Sequence, residues 1–280
     1  MTGKAGQSGL ALGGPLILVG CGKMGVALLE GWLARGADPA LVTIVEPIAE
    51  NVAGFTARGL HHATRIEDAK AKAAPAVIVL AVKPQQMDGV ATACAALAGP
   101  DTLVVSIAAG CTIGYFERHF PHAAIVRTMP NTPAAVGRGM TVLCANVQVG
   151  AAQRDLAGAL MSAVGEVAWV EDEAMLDAVT AVSGGGPAYV FLLIECLAEA
   201  GVQAGLPAEL SMRIARATVA GAGELGRLSD LPAGKLRENV TSPKGTTLEA
   251  LKVLMASDGL QPLMTRAIAE ATRRSRELAS

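Results

Sequence analysis

The sequence predicts an α/β protein in which an N-terminal doubly wound sheet precedes an all-helical domain. Two observations carry this prediction. Short β-branched runs alternate with helical patterns as far as about Val170, and strands separated by helices form parallel sheets. Beyond that point the strand patterns stop, and the rest of the chain has the apolar spacing of helices.

The first strand is PLILVG at 15–20, and the segment after it repeats Met24, Leu28 and Trp32 at helical spacing. LVTIVEP and PAVIVLAVKP follow, and the latter is almost continuously apolar, as a strand buried on both faces should be. TLVVSIAAG, AAIVRTMPN, MTVLCAN and VAWV complete the series. The polar pair His61–His62 lies among these strands and is interpreted as a solvated loop.

These patterns predict three segments: a loose N-terminal extension over 1–15, the α/β domain over 16–170 and the helical domain over 171–280. The helix after Pro187 is apolar on nearly every side, which indicates burial in more than one direction. A helical domain this small offers little to bury it against, so we expect self-association.

Composition excludes several functional classes. The 280 residues carry a net charge of −2, with 51% hydrophobic and 17% charged residues, which disfavours disorder and nucleic-acid binding. The five cysteines form no CxxC pair, which is typical of reduced thiols in a cytosolic protein without a metal site. No unbroken apolar run reaches the ~18 residues of a membrane span. We therefore expect a cytoplasmic protein with no membrane partner.

The hexapeptide Gly20-Cys21-Gly22-Lys23-Met24-Gly25 fits G-x-G-x-x-G and lies between a predicted strand and a predicted helix. In that setting the first glycine makes a tight turn, the second admits a pyrophosphate and the third lets helix and strand pack. Glu46 ends the second strand about 20 residues later, the spacing of a residue that reads the ribose. This combination predicts a nicotinamide cofactor, although a plain tight turn would also account for the glycines.

Two further loops follow strands and should wrap the nicotinamide half of the cofactor, because ligands of open α/β sheets bind outside the carboxyl ends of strands. They are Ala81-Val82-Lys83-Pro84 and the loop with Ala108 and Ala109. Lys83 is either a catalytic acid, a cofactor contact or a structural charge. RTMPNTPAAVGRG is either a linker or a wall of the site, and SGGGPAY is either a hinge or a place of close approach to a ligand or a second subunit.

The stretch NVTSPKGTTLEA, from Asn239 to Ala250, is polar and turn-forming and leads directly into an apolar helical period. Thr246 and Glu249 have the spacing of a capping box, in which the threonine hydroxyl and the glutamate carboxylate each bind a backbone N–H. The mouth of this helix is a candidate anion site.

In this order and spacing, GCGKMG, VLAVKPQ, SIAAG, RTMPNTPAAVG, GGGPAY and NVTSPKGTT resemble the pyrroline-5-carboxylate reductase family, over about 16–278. The resemblance implies an oxidoreductase that uses NADPH or NADH to reduce Δ1-pyrroline-5-carboxylate, a cyclic imine, to L-proline in the last step of proline biosynthesis. It also implies a Rossmann domain, a helical domain that dimerises by interlocking, and in many relatives a ring of dimers.

The substrate of that family has a carboxylate, which a helix N-terminus can bind. We therefore expect Ser242 and the N–H groups of Thr246 and Thr247 to hold it. The resemblance adds Asn239 and Gly245 to this set and implies that the Thr247 hydroxyl reaches the ring nitrogen, which makes Thr247 the catalytic candidate.

The chain departs from the family pattern at two positions. Lys244 stands where the family usually has Gly, and Gly185 stands where it usually has Ser. Lys244 either adds positive charge near the carboxylate or points into solvent, and Gly185 removes one potential hydrogen bond.

Two other functions remain open on the sequence. A β-hydroxyacid dehydrogenase shares this architecture but needs a catalytic lysine after the glycine-rich break, and no lysine occurs between Lys83 and Lys235. A non-catalytic dinucleotide-binding regulator would keep the glycine motif without needing Ser242 and Thr247.

Overall fold

The computed structural model of the chain describes residues 9–69 and 73–279. The chain divides into two compact units. Unit 1 comprises Met1–Gly184 together with Thr272–Ser280, and unit 2 comprises Gly185–Ala271. The domain boundary predicted near Val170 remains a prediction, since these units are defined by packing.

Unit 1 is built on one eight-stranded sheet. Its strands have the spatial order β3-β2-β1-β4-β5-β6-β7-β8, and every neighbouring pair is parallel except β6 and β7. The chain order reverses between β1 and β4, which is where open α/β sheets leave a crevice for ligands. The strands are β1 Leu16–Val19, β2 Val42–Val45, β3 His61–Ala63, β4 Val77–Leu80, β5 Leu103–Ser106, β6 Ala124–Met129, β7 Gly139–Ala145 and β8 Gly165–Trp169.

The β1 and β4 strands are buried along their whole length, as their uninterrupted apolar runs predict. Alternate residues of β1 enter different hydrophobic clusters on the two faces of the sheet, Leu16 and Leu18 on one face and Ile17 and Val19 on the other. Helices cover both faces, so the glycine motif that follows β1 is carried by a rigid strand.

The described part of the N-terminal segment differs from the loose extension predicted over 1–15. Leu10 and Leu12 are buried, whereas Gly9 and Ala11 between them are exposed. The Leu10 N–H also donates to the Arg35 carbonyl at 2.8 Å. An extended segment turns alternate side chains to one side, so two leucines suffice to fasten it to the core. Residues 1–8 lie outside the described residues.

The prediction that His61–His62 form a solvated loop is wrong. These residues begin β3, which pairs in parallel with β2 at the edge of the sheet. His62 Nε2 lies 2.8 Å from the carbonyl oxygen of Glu46, so the edge strand helps to fix the end of β2. Backbone pairing with β2 makes this strand, because its three residues have no apolar pattern of their own.

Unit 2 is helical and has almost no interior. Within Gly185–Ala271, all of which the structure describes, only Ala198, Ser211 and Ala215 are buried. Its helices α7, Gly186–Gln203, and α8, Ala208–Leu228, pack closely. The Ser211 hydroxyl donates to the Ala198 carbonyl at 2.6 Å, and a Cβ on Gly201 would overlap that hydroxyl. Most of the exposed large apolar side chains of the described chain lie in this unit.

The helices of both units are α1 Lys23–Ala34, α2 Ala53–Thr56, α3 Met87–Ala95, α4 Ile113–His119, α5 Ala151–Ser162, α6 Met175–Val179, α7 Gly186–Gln203, α8 Ala208–Leu228, α9 Ala233–Asn239, α10 Thr246–Leu254 and α11 Leu260–Ala279. By length and composition, the helical stretch Met175–Gln203 could also cross a membrane, which is weak evidence from a single helix.

Candidate functional site

The glycine motif forms the turn between β1 and α1. Gly20 has φ +95°, and a Cβ there would lie 2.7 Å from the Ala81 carbonyl oxygen, so both conformation and space require glycine. A Cβ on Gly25 would lie 2.5 Å from the Gly20 carbonyl oxygen, so this glycine permits close packing of helix on turn. A Cβ on Gly22 would meet no atom within 4 Å, so no protein contact accounts for that glycine.

The first turn of α1 is open to an anion. Its N-cap is Gly22, no side chain caps it, and no acidic residue occupies its first turn. The unpaired N–H groups at a helix start attract a phosphate, and the missing side chain at Gly22 leaves room for one. The turn therefore fits the pyrophosphate of a dinucleotide.

A cleft of about 750 Å³ opens beside this turn, at the carboxyl ends of β1, β2, β3 and β4. Of the predicted cofactor residues, the lining includes Gly20, Cys21, Gly22, Glu46, Ala81, Val82 and Lys83. The other predicted cofactor residues do not line it: Lys23, Met24, Gly25, Pro84, Ala108 and Ala109. Lys23 and Ala109 are exposed, and Ala108 is buried in the hydrophobic core.

The lining also holds residues that sequence reasoning missed: Ile48, Asn51, Thr64, Arg65, Glu67 and Gln86. Thr64 and Arg65 directly follow β3, so recognition of that strand would have placed them at this edge of the sheet. Arg65 and Glu67 form an ion pair at 3.2 Å with both side chains exposed, an arrangement of small energetic value.

Glu46 is buried, with 8% of its surface exposed, and its carboxylate is fixed against the glycine turn. The Cys21 N–H donates to Oε2 at 3.0 Å. The Ile48 N–H and Asn51 Nδ2 donate to Oε1 at 3.2 and 3.3 Å. The carboxylate therefore lies in the cleft and does not swing out to solvent.

Lys83 lies at the rim of the cleft, exposed, and makes no ion pair within 9–69 and 73–279. Its three predicted roles remain open.

Cys21 is not a nucleophile near neutral pH, because burial and the neighbouring Glu46 carboxylate raise the pKa of its thiol to about 11. All five cysteines are free thiols.

The RTMPNTPAAVGRG segment is held in place by Asn131. Its Oδ1 accepts from the Met140 N–H at 2.9 Å, and its Nδ2 donates to the hydroxyl and the carbonyl of Ser183. Ser183 lies in a π-helical turn, Thr180–Gly184. Pro187, four residues later, has no N–H to offer the Ser183 carbonyl, and the Asn131 amide supplies that donor.

Around α10, the structure brings together Ser242, Gly245, Thr246 and Thr247. A Cβ on Gly245 would lie 2.3 Å from the Ser242 hydroxyl oxygen, so only glycine lets that hydroxyl approach the helix start. Thr246 and Thr247 are exposed in the first turn, and their N–H groups have no intrahelical acceptor. Asn239 is the last residue of α9.

The predicted capping box is wrong. Gly245, with an extended backbone, is the N-cap of α10, and it has no side-chain cap. Glu249 is consequently one position too far along to reach back to the N-cap N–H, and its carboxylate pairs with Lys252 at 2.7 Å instead. The mouth of the helix is thus left without an internal cap.

Lys244 has φ +61°, in the left-handed region that favours glycine. This backbone strain gives a physical reason why a glycine would fit this position.

We expect Lys244→Gly to raise the free energy of unfolding by up to about 1 kcal/mol. Holding a residue with a side chain in the left-handed region costs about 1–2 kcal/mol, which exceeds the entropy cost of a glycine, about 0.5–1 kcal/mol. Urea unfolding at one fixed protein concentration measures the change. Lys244→Ala keeps a Cβ and is the matched control, and a glycine variant no more stable than this control would contradict the prediction.

Two family models match the chain. The model for pyrroline-5-carboxylate reductase dimerisation matches residues 173–278, and the model for NADP oxidoreductases, coenzyme F420-dependent, matches residues 16–110.

Individual relatives match nearly the whole chain. The pyrroline-5-carboxylate reductase of Pseudomonas aeruginosa is 41% identical over 94% of this chain and 96% of its own. The structure of the Coxiella burnetii enzyme aligns with a TM-score of 0.89 at 35% identity, over 95% of this chain and 99% of its own. The Plasmodium falciparum pyrroline carboxylate reductase, a structure with NADP bound, aligns with a TM-score of 0.80 at 30% identity, over 96% and 99%.

These matches confirm the predicted fold class, with an N-terminal dinucleotide-binding sheet domain and a C-terminal dimerisation region. The match to the Pseudomonas aeruginosa enzyme covers 94% of this chain, so it includes parts of both regions. The chain belongs to the pyrroline-5-carboxylate reductase family.

Proposed function

We propose that the chain catalyses the reduction of Δ1-pyrroline-5-carboxylate to L-proline by NAD(P)H, the final step of proline biosynthesis. The observation that carries this proposal is the 41% identity to the Pseudomonas aeruginosa reductase along nearly the full length of both chains. The glycine-turn cleft supports the cofactor, and the uncapped mouth of α10 supports a substrate with a carboxylate.

The cofactor site is assigned to the cleft and the first turn of α1. The α1 N–H groups and the open side of Gly22 receive the pyrophosphate, and Glu46 faces the ribose. When bound, NAD(P)H supplies the hydride that reduces the C=N bond. The residues of the chain orient the reactants and exclude water, which is the protein's share of catalysis with such cofactors.

The substrate carboxylate is assigned to the mouth of α10. The Thr246 and Thr247 N–H groups and the Ser242 hydroxyl offer donors there, and the helix dipole favours an anion by about 0.3–2 kcal/mol. The Thr247 hydroxyl then donates a hydrogen bond to the ring nitrogen of the imine. Hydride addition to the ring carbon leaves that nitrogen to take up one proton from water, which completes the amine. Asn239 and Gly245 shape the surrounding loop.

Activity is tested by following the absorbance of the reduced nicotinamide in NADPH and in NADH, with pyrroline-5-carboxylate as substrate and equal concentrations of the two cofactors. Proline must form in equal amounts to the cofactor consumed. Tight cofactor binding without turnover would favour the non-catalytic regulator instead.

Thr247→Ala is expected to lower kcat/KM for the imine by roughly tenfold to 150-fold, because a hydrogen bond to a group that becomes charged contributes about 1.5–3 kcal/mol. Cofactor affinity should stay near normal, since the cleft lies in unit 1 and Thr247 in unit 2. Ser242→Ala should act mainly on substrate KM.

Steady-state kinetics with each reactant varied in turn separates these effects. Thr265→Ala is the matched control, because its hydroxyl bonds only within α11 among the residues that the structure describes. Wild-type kcat/KM in Thr247→Ala would remove this residue from the mechanism.

The proposed function also includes how the subunits assemble and in which compartment the protein works. Self-association through the dimerisation region extends to a ring of dimers, and the enzyme works in the cytoplasm without a membrane partner. The free cysteines support a reducing compartment. Light scattering gives the number of subunits, and fractionation of cells gives the compartment.

A further inference from the structure

The Glu46 carboxylate is held by three N–H donors, two of which belong to the backbone. Cys21 N–H and Ile48 N–H are fixed by the fold, at 3.0 and 3.2 Å. The third donor is the side-chain amide of Asn51, which reaches Oε1 at 3.3 Å. Within the residues that the structure describes, Asn51 is the only side chain that bonds this carboxylate.

The position of Asn51 is itself well defined. It ends a short 3₁₀ turn, Ala49–Asn51, in which its own N–H donates to the Ile48 carbonyl at 3.1 Å. The next residue, Val52, is buried in the hydrophobic core. The amide therefore approaches Glu46 from an anchored backbone, even though Asn51 is exposed at the surface of the cleft.

Glu46 makes no ion pair in the described chain, although two cationic side chains line the same cleft: Arg65 is paired with Glu67, and Lys83 makes no ion pair. Neutral N–H donors hold the carboxylate without cancelling its charge. A charge held this way attracts ribose hydroxyls, which donate to it, and repels a phosphate.

We propose that Asn51 is a positioning residue for cofactor selection: its amide keeps the Glu46 carboxylate turned into the cleft, where it meets the ribose 2′ position. This inference rests on the proposed function in one respect, that the nicotinamide cofactor binds in this cleft. Without the amide, Oε1 keeps one backbone donor, and the carboxylate gains freedom to rotate away from an incoming 2′-phosphate.

The test uses Asn51→Ala in the full-length protein, with Glu50→Ala as the matched control. Glu50 lies in the same 3₁₀ turn, is exposed and makes no ion pair in the described chain. Affinities for NAD⁺ and NADP⁺ are measured by fluorescence titration, which needs no turnover and so separates this test from the proposed reaction. The NADH-to-NADPH ratio of kcat/KM is measured as well.

We expect Asn51→Ala to shift the NADH-to-NADPH ratio toward NADPH by about three- to tenfold. This is less than the roughly tenfold to 150-fold of a whole bond to a charged group, because two backbone donors still hold the carboxylate. Glu50→Ala should leave the ratio near that of the wild type. A purely structural defect would weaken both cofactors equally and leave the ratio unmoved. In a Glu46→Gln background, Asn51→Ala should no longer shift the ratio, because the charge it positions is absent. An unchanged ratio in Asn51→Ala, or the same shift in both backgrounds, would overturn the proposal.

Discussion

Leu193→Asp is expected to dissociate the protein into inactive monomers or to prevent it from folding. Leu193 lies in α7 with 46% of its surface exposed in the single chain, next to Leu192 and Phe191, which are more exposed still. The dimerisation region of the family spans this helix. An aspartate at a covered position would leave a carboxylate without water or a partner, which costs several kcal/mol per copy.

The expected effect is large because unit 2 has no core of its own. With only Ala198, Ser211 and Ala215 buried, the free energy that orders its helices must come from covering the apolar faces of α7 and α8. Each fully covered leucine or phenylalanine contributes about 1.5–3 kcal/mol. Two copies of the same face supply this cover when they meet across a two-fold axis.

Light scattering and circular dichroism on the purified variant give its mass and its helix content, and the cofactor-oxidation assay gives its activity. Leu193→Met is the matched control, because it keeps an apolar side chain of similar volume and should leave both assembly and turnover unchanged. A stable Leu193→Asp monomer with full activity at assay concentrations would show that this helix face is not the interface.

The sheet was predictable because its strands carry their own signal. LILV and VIVL are apolar runs, and LVVS is apolar up to its last residue; all three are buried along their whole length. A glycine with positive φ, Gly20, follows the first of them. Such runs have no stable alternative to burial, so local sequence and final structure agree. The sequences of β6 and β7 do not predict that these two strands pair in antiparallel, because the turn between them sets their relative direction.

The parts of the site that were missed depend on distant contacts. His61–Ala63 forms a strand only because β2 offers it backbone partners, and Thr64 and Arg65 reach the cleft only as a consequence. The expected cap at Thr246 failed for a local reason: the left-handed turn at Lys244 makes Gly245 the N-cap and moves Glu249 out of reach. The spacing of apolar residues identifies the apolar face of a helix well. A shift of one residue at the start of the helix, however, changes which side chain can cap it.

Cofactor choice is the second large expected effect, and we predict that the wild-type enzyme prefers NADH by at least about fivefold in kcat/KM. In the proposed cofactor site Glu46 faces the position of a 2′-phosphate, and three N–H donors keep its carboxylate in the cleft. Like charges a few ångströms apart cost about 1–4 kcal/mol depending on screening, which corresponds to roughly fivefold to several-hundredfold in affinity. Both ribose hydroxyls of NADH, by contrast, can donate to the carboxylate.

The structure also holds an opposing charge, because Arg65 lines the same cleft as Glu46. Its side chain is 71% exposed, and its pairing with Glu67 is weak enough to be exchanged for a phosphate. A 2′-phosphate would therefore gain a solvent-screened attraction from Arg65 and suffer a repulsion from the buried Glu46. The repulsion should dominate, since a charge that is 8% exposed is screened less than one at the surface.

Glu46→Gln and Glu46→Ser test this balance. Glutamine keeps an acceptor for the Cys21 N–H while removing the charge, so it should shift the NADH-to-NADPH ratio toward NADPH by about tenfold or more without unfolding the glycine turn. Serine also removes the bulk and should shift the ratio at least as far. Arg65→Ala should then reduce NADPH efficiency more strongly in the Glu46→Gln background than in the wild type, because the Glu46 charge no longer opposes the attraction of the arginine for the phosphate. If the wild type prefers NADPH and neither change at Glu46 moves the ratio, the carboxylate does not read the ribose, and cofactor choice must rest on Arg65 and the backbone N–H groups.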